Sequence, residues 1–97
     1  MTQLNLELKA SGEFVVSGEL SAETVANFTF MQKFPDISSN CIIFDLSAIS
    51  RVDTAGLAWL IHTLSELQQQ NINLSLHHVP EQLQKLMQLV QVSQLFE

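Results

Sequence analysis

Ninety-seven residues with a mass of 10.9 kDa suffice for one hydrophobic core, so the chain reads as a single domain over residues 1–97. Hydrophobic residues make up 46% and charged residues 14%, which excludes a disordered tail poor in aliphatics. Four Lys and Arg against ten Asp and Glu leave a formal net charge of −6, and this excludes the basic patch that nucleic acids or anionic lipid headgroups require.

In chain order, Leu4, Leu6 and Leu8 alternate with Asn5, Glu7 and Lys9, Ser11-Gly12 offers a turn, and residues 14–20 form a second apolar stretch. This predicts an opening hairpin. Ser21 is placed to cap a helix running to about Phe34, with Val25, Phe28 and Met31 or Gln32 at helical spacing and Pro35-Asp36 closing it. Cys41-Ile42-Ile43-Phe44-Asp45-Leu46 is an almost continuous apolar run of strand length, expected at the sheet centre and covered on most of both sides. Cys41 is read within it as a small buried hydrophobe, and a lone Cys forms no internal disulfide, which points to a reducing compartment.

Residues 47–52 read as a polar loop. A long helix is predicted from Thr54 to Gln70, because Leu57, Leu60, Ile61, Leu64 and Leu67 recur at the spacing of one helical face; Asn71 ends it. Residues 73–79 read as a further strand, and Pro80 as the first residue of a helix carrying Leu83, Leu86, Met87 and Val90 on one side. The order β-β-α-β-α-β-α implies an α/β sandwich. Its sheet is mixed and four-stranded, opened by the hairpin and packed against about three helices, with right-handed crossovers making the later strands parallel. The N-terminus shows neither a basic nor an apolar leader segment, and no stretch approaches the roughly 18 apolar residues of a membrane span. A soluble, cytoplasmic chain without direct membrane insertion is the expectation.

The most informative stretch is Ser50-Arg51-Val52-Asp53-Thr54-Ala55-Gly56-Leu57, at the start of the strongest helix. Asp53 or Thr54 can accept hydrogen bonds from the first free backbone N–H groups, and negative charge there meets the positive end of the helix dipole. The plain reading is an N-cap. The sharper reading notes a Thr54 hydroxyl beside an acidic residue, where a phosphoryl group would add about −1.5 to −2 charges. Ala55 and Gly56 keep the first turn thin enough for another protein's backbone to approach. At about 100° per residue, Trp59 falls on the side away from Leu57, Ile61 and Leu64, together with Ala55, His62 and Glu66. Trp is the residue type most enriched at binding hot spots, so the expected docking surface runs from Asp53, Thr54, Ala55 and Gly56 to Trp59 and His62.

Other chemistries find no support. His77 and His78, adjacent in a strand, point to opposite faces, and neither they nor His62 stand with a Cys or carboxylate at ligand spacing, so no metal is expected. Three glycines, Gly12, Gly18 and Gly56, cannot write a phosphate-binding loop or a dinucleotide fingerprint, and no Gly-x-Ser-x-Gly elbow presents a nucleophile. The chain is read as non-enzymatic and without cofactor.

Val16-Ser17-Gly18-Glu19-Leu20, Ile42-Ile43-Phe44-Asp45-Leu46-Ser47, Val52-Asp53-Thr54-Ala55-Gly56-Leu57-Ala58 and Val92-Ser93-Gln94-Leu95-Phe96 together resemble the STAS domain family, over nearly the whole chain. That family includes bacterial anti-sigma-factor antagonists and the C-terminal domains of sulfate transporters. The resemblance implies a STAS-like sandwich. In the antagonists the residue after the Asp of the Asp-Ser/Thr-x-Gly-Leu element accepts phosphate, which maps onto Thr54. Kinase-switched members carry Asp after the Gly-Glu-Leu segment, where Ser21 stands here, so Ser21 joins the expected partner surface. The antagonists also continue beyond the Leu-Phe element, whereas this sequence ends at Glu97. Both features, and the run Ser50-Arg51-Val52-Asp53-Thr54, are more similar to the small STAS subunits of phospholipid-transport ABC complexes in Gram-negative bacteria. That branch implies a cytoplasmic, non-catalytic protein bound to an ABC transporter ATPase subunit within a permease complex. The alternative is an anti-sigma-factor antagonist switched by phosphorylation at Thr54.

Overall fold

The computed structural model describes residues 3–10, 12–26, 29–34 and 39–91. Strands β1 (Leu4–Ala10) and β2 (Glu13–Leu20) form the expected hairpin, pairing antiparallel with Leu8 opposite Phe14 and Leu6 opposite Val16. Gly12 turns the chain at φ 77°, and its carbonyl accepts from Ile43 N–H at 2.7 Å, anchoring the turn to the next strand. Ser11 lies outside the described residues.

The helix expected from Ser21 to Phe34 is present as two short segments, α1 (Ala22–Val25) and α2 (Phe30–Lys33). Asn27, Phe28 and the closing Pro35-Asp36 lie outside the described residues, as does the side chain of Met31. Strand β3 (Cys41–Val52) is twice as long as expected and absorbs the whole of the supposed loop 47–52. Its second half pairs with β2 through two register shifts, Ser17 opposite Ala48 and Leu20 opposite Val52. Helix α3 (Thr54–Gln69), strand β4 (Asn73–His77) and helix α4 (Glu81–Leu89) follow. Pro80 caps α4 rather than opening it, and β4 ends two residues short of the expected strand. The end motif at residues 92–96 lies outside the described residues.

The sheet order is β1-β2-β3-β4, with β2, β3 and β4 mutually parallel, which is the mixed four-stranded α/β architecture expected. The face carrying Phe14, Val16, Ile42, Phe44, Leu46 and Leu74 is buried. Phe14, Phe30, Phe34 and Phe44 form an aromatic nucleus in it, with ring centroids 4.7–6.1 Å apart for Phe14 and its three neighbours. The opposite face is open: Glu7, Val15, Asp45 and His77 form one row across all four strands, and all are half-buried or exposed. So, among the described residues, β3 is buried on one face only, and Cys41, at its start on the other side, is exposed rather than a core thiol. Among the described residues no helix is long and apolar enough to cross a membrane.

Candidate functional site

Parallel strands place the N-termini of the following helices at one end of the sheet, and here α1, α3 and α4 all begin where β2, β3 and β4 end. Asp53 is the N-cap of α3, as expected. Its Oδ1 accepts from Gly56 N–H at 3.0 Å, while Oδ2 accepts from Ala22 N–H, the first residue of α1, at 3.3 Å. The Asp53 N–H donates to Leu20 O at 3.0 Å. One carboxylate therefore caps two helices, and its own amide is tied to the end of β2. Partial burial would push the Asp53 carboxyl up, but the N–H groups of Gly56, Ala22 and Ala55, helped by the Arg51 charge, outweigh it and hold the group below its ordinary value. The site is built around a persistent negative charge.

Thr54, next in the chain, is exposed at the first helical position. Ala55 is half-buried and Ala58 exposed, so the outer side of the first turns carries little bulk. Ser21 is buried, with its N–H donating to Thr24 Oγ1 at 3.0 Å. It serves to start α1 and presents no side chain to a partner, which corrects its place on the docking surface.

Gly56 is corrected in the same way. It is buried, and a Cβ there would fall on the Leu20 carbonyl oxygen and lie 2.7 Å from Leu20 Cβ. Close approach is the reason for the glycine, but the backbone that approaches is the chain's own β2.

Trp59 does not stand outside the core. Only 5% exposed, it lies nearly parallel to Phe44 with centroids 6.3 Å apart. The leucines marked one edge of the buried arc of α3, whereas the arc also takes in Gly56, Trp59 and Thr63, because α1 and α2 pack against that flank. His62 remains outside, its side chain 57% exposed and its Nε2 3.5 Å from Glu66 Oε1.

Between α3 and the segment carrying α1 and α2 runs a groove of about 500 Å³. Ala55, Ala58, Trp59 and His62 line its α3 wall, and Val25, Ala26, Thr29 and Gln32 line the other. The structure thus brings Ala55, Trp59 and His62 to one concavity beside Thr54, with Trp59 as a wall rather than a projection. Ala26, Thr29 and Gln32 were missed by sequence reasoning. The signal available was the spacing of three that separates the small or polar Ala26, Thr29 and Gln32. No group of three potential metal ligands converges among the described residues.

Comparison with known proteins agrees with this architecture. The STAS domain family model matches residues 7–97. The chain is 32% identical to the intermembrane phospholipid transport system binding protein MlaB of Escherichia coli (strain K12) over 82 residues, covering 84% of this chain and 82% of that protein. The Shigella flexneri protein of the same name matches with the same figures. Among solved structures, the unphosphorylated anti-sigma factor antagonist SpoIIAA superposes with a TM-score of 0.63 at 20% identity, covering 88% of this chain and 81% of that one, a likeness of fold.

Proposed function

The chain belongs to the STAS domain family, and from that premise we propose that it is a non-catalytic accessory subunit that binds the ATPase of an ABC-type phospholipid transporter and supports its activity. The observation that carries this reading is the 32% identity to MlaB over 84% of the chain, named for binding within an intermembrane phospholipid transport system. The geometry supports it. An exposed Thr54 directly precedes Ala55 in a groove whose α3 wall is thinned by Ala55 and Ala58, a shape suited to receiving a protein segment. Nothing in the arrangement calls for a bond to be made or broken. The subunit would act by population shift, binding one conformation or assembly state of the ATPase better than the others and so raising its occupancy. In this reading the protein sits in the cytoplasm, peripheral to the inner membrane through its partner within the permease complex.

The test is co-purification with an ABC ATPase from the native host, followed by ATPase assays of that complex with and without this chain. Loss of ATPase activity on its removal is the expected result; a complex of unchanged activity, or none under gentle lysis, removes the reading. Ala58→Arg, which fills the groove from an exposed position, is expected to weaken the complex about tenfold or more while leaving the fold intact.

A second reading is favoured by one observation, the exposure of Thr54 at the start of α3. As a phosphoacceptor it would switch partner binding, as an anti-sigma-factor antagonist would, through repulsion of an acidic partner and the cost of desolvating the added charge. Intact mass measurement of protein from native cells separates the two: a phosphorylated fraction supports switching, and an unmodified chain in every growth phase supports the transporter subunit.

A further inference from the structure

The groove has one wall on a sixteen-residue helix and part of the other on a four-residue helix. Helix α3 is seated by a continuous buried stripe, but α1 buries none of its own residues. A helix of one turn has no intrinsic stability in water. Its position comes from the half-buried Val25, which packs against the core, and from a few hydrogen bonds at its start: the Ser21–Thr24 pair, the Thr24 hydroxyl donating to Glu19 O at 2.8 Å, and the Ala22 N–H donating to Asp53. The first two bind α1 to its own chain neighbours. The last joins it to α3.

We propose that Asp53 is a positioning residue that sets the spacing of α1 against α3, and hence the groove between them, by holding an N–H from the first turn of each helix on one carboxylate. The division of labour between its oxygens carries the argument. Oδ1 holds Gly56 of α3 and Oδ2 holds Ala22 of α1. Because Leu20 O accepts from Asp53 N–H and Gly56 closes against the same carbonyl, the α3 side of this bracket is fixed to β2 without the second oxygen. That oxygen is left to act on α1. Its consequence for partner binding rests on the function proposed above; its consequence for the groove does not.

Two substitutions isolate the second oxygen. In Asp53→Asn the amide oxygen can still take Gly56 N–H, and Asn caps helices as well as Asp, but the amide nitrogen now opposes the Ala22 N–H with another donor. In Ala22→Pro the donor itself is removed. Proline is well tolerated at the first helical position, and Ser21 before it is already extended at φ −140° and ψ 168°, the conformation that precedes proline. If Asp53 were only the cap of α3, Ala22→Pro would be neutral or slightly stabilising.

Trp59 is the single tryptophan of the chain, is 5% exposed and lines the groove, so its fluorescence reports the spacing directly. In the full-length protein, both variants are expected to raise acrylamide quenching of Trp59 about twofold with the far-ultraviolet circular dichroism unchanged. The double variant is expected to show no more than either single one, since both break the same contact. Wild-type quenching in Ala22→Pro overturns the proposal, and so do additive effects in the double variant. Should Asp53→Asn fail to fold, Ala22→Pro decides alone. With an ATPase partner in hand, Ala22→Pro is expected to weaken binding about tenfold though it leaves Thr54, Ala55 and Ala58 untouched. Undiminished affinity beside raised quenching overturns the link from spacing to binding. If the wild-type protein binds no ATPase, the proposed function falls while the quenching measurement still settles the role of Asp53.

Discussion

The two flanks of α3 are held by different physics. On one side α4 inserts Leu83, fully buried, and Met87, 5% exposed, into the core, so apolar area removed from water seats the helix. On the other side α1 has no fully buried side chain: Val25 packs half-buried against the core, and directed hydrogen bonds complete the attachment. The first kind of attachment is sensitive to volume and indifferent to charge. The second is weak in energy and sharp in geometry, and it lies beside the groove. Under the function proposed here, the surface that would receive a partner is positioned in part by directional contacts, while the burden of stability sits on the far flank.

Substitutions that break one flank and spare the other test that contrast. The largest effect is expected from Leu83→Ala, about 3 kcal/mol of lost stability from the cavity left under α4. Chemical denaturation measures it, and acrylamide quenching of Trp59 should stay at the wild-type value in the folded protein. A comparable rise in quenching would mean that the flanks are coupled. Gly56→Ala comes next. In an exposed helix this change would stabilise by up to about 1 kcal/mol, but here the added methyl meets the Leu20 carbonyl, and backbone cannot swing aside as a side chain can. A net loss of about 2 kcal/mol is expected, with raised Trp59 quenching, because β2 and the first turn of α3 must separate. A gain in stability would show that the contact is looser than the geometry implies.

Asp53→Ala is expected to cost about 1 kcal/mol at neutral pH, the usual value of an N-cap. Its signature is pH dependence. The folded carboxyl lies below its ordinary value of 3.8, so its stabilisation is complete above that value and is lost as pH falls through the lower, folded one. Denaturation of wild type and variant at pH 7, 5, 4 and 2.5 should give a constant difference at the two higher values and a smaller one at the lowest. Asp45 adds an acid dependence of its own, since the Ser47 backbone N–H and then its hydroxyl, with His78 and His77, also hold its carboxyl low. That contribution is common to both proteins and cancels in the difference.

The elements most legible in the sequence were those whose pattern and burial coincide. The leucine alternation of β1 and the stripe of α3 were read with the right type and nearly the right ends, and the apolar first half of β3 with the right type and start. The second half of β3 was not, because its shifts in register break the alternation that marks a strand and its side chains, Ser47, Ala48 and Ser50 among them, face water. At the candidate site the chemistry of single residues was legible and their neighbours were not. Asp53 reads as a cap from its place before a helix, but nothing in one dimension shows that Ala22, thirty-one residues earlier, shares its carboxylate. The same holds for Gly56 and Trp59. A small residue and a large one both announced a close partner, and for both that partner is this chain, through Leu20 in one case and the aromatic nucleus around Phe44 in the other.

The smallest expected effect lies in the connections at the two ends of β4. His78, in the turn between β4 and α4, adopts φ 56°, and Asn71, just past the end of α3, adopts φ 62°. An L residue in this left-handed region crowds its Cβ against the following carbonyl, but Asn tolerates it through local hydrogen bonding of its short side chain, and His does so less well. Replacement by Gly removes the crowding and adds freedom to the unfolded chain, so the two terms oppose each other. His78→Gly should therefore stabilise by about 0.5 kcal/mol and Asn71→Gly by about zero. Thermal midpoints in about 0.5 M salt, where the attraction of Asp45 for His78 is screened, give the comparison without an electrostatic contribution. Since neither residue lines the groove, both variants should leave Trp59 quenching at the wild-type value. A shift there would mean that the groove responds to global stability, and the assignment of its width to one carboxylate would lose its support.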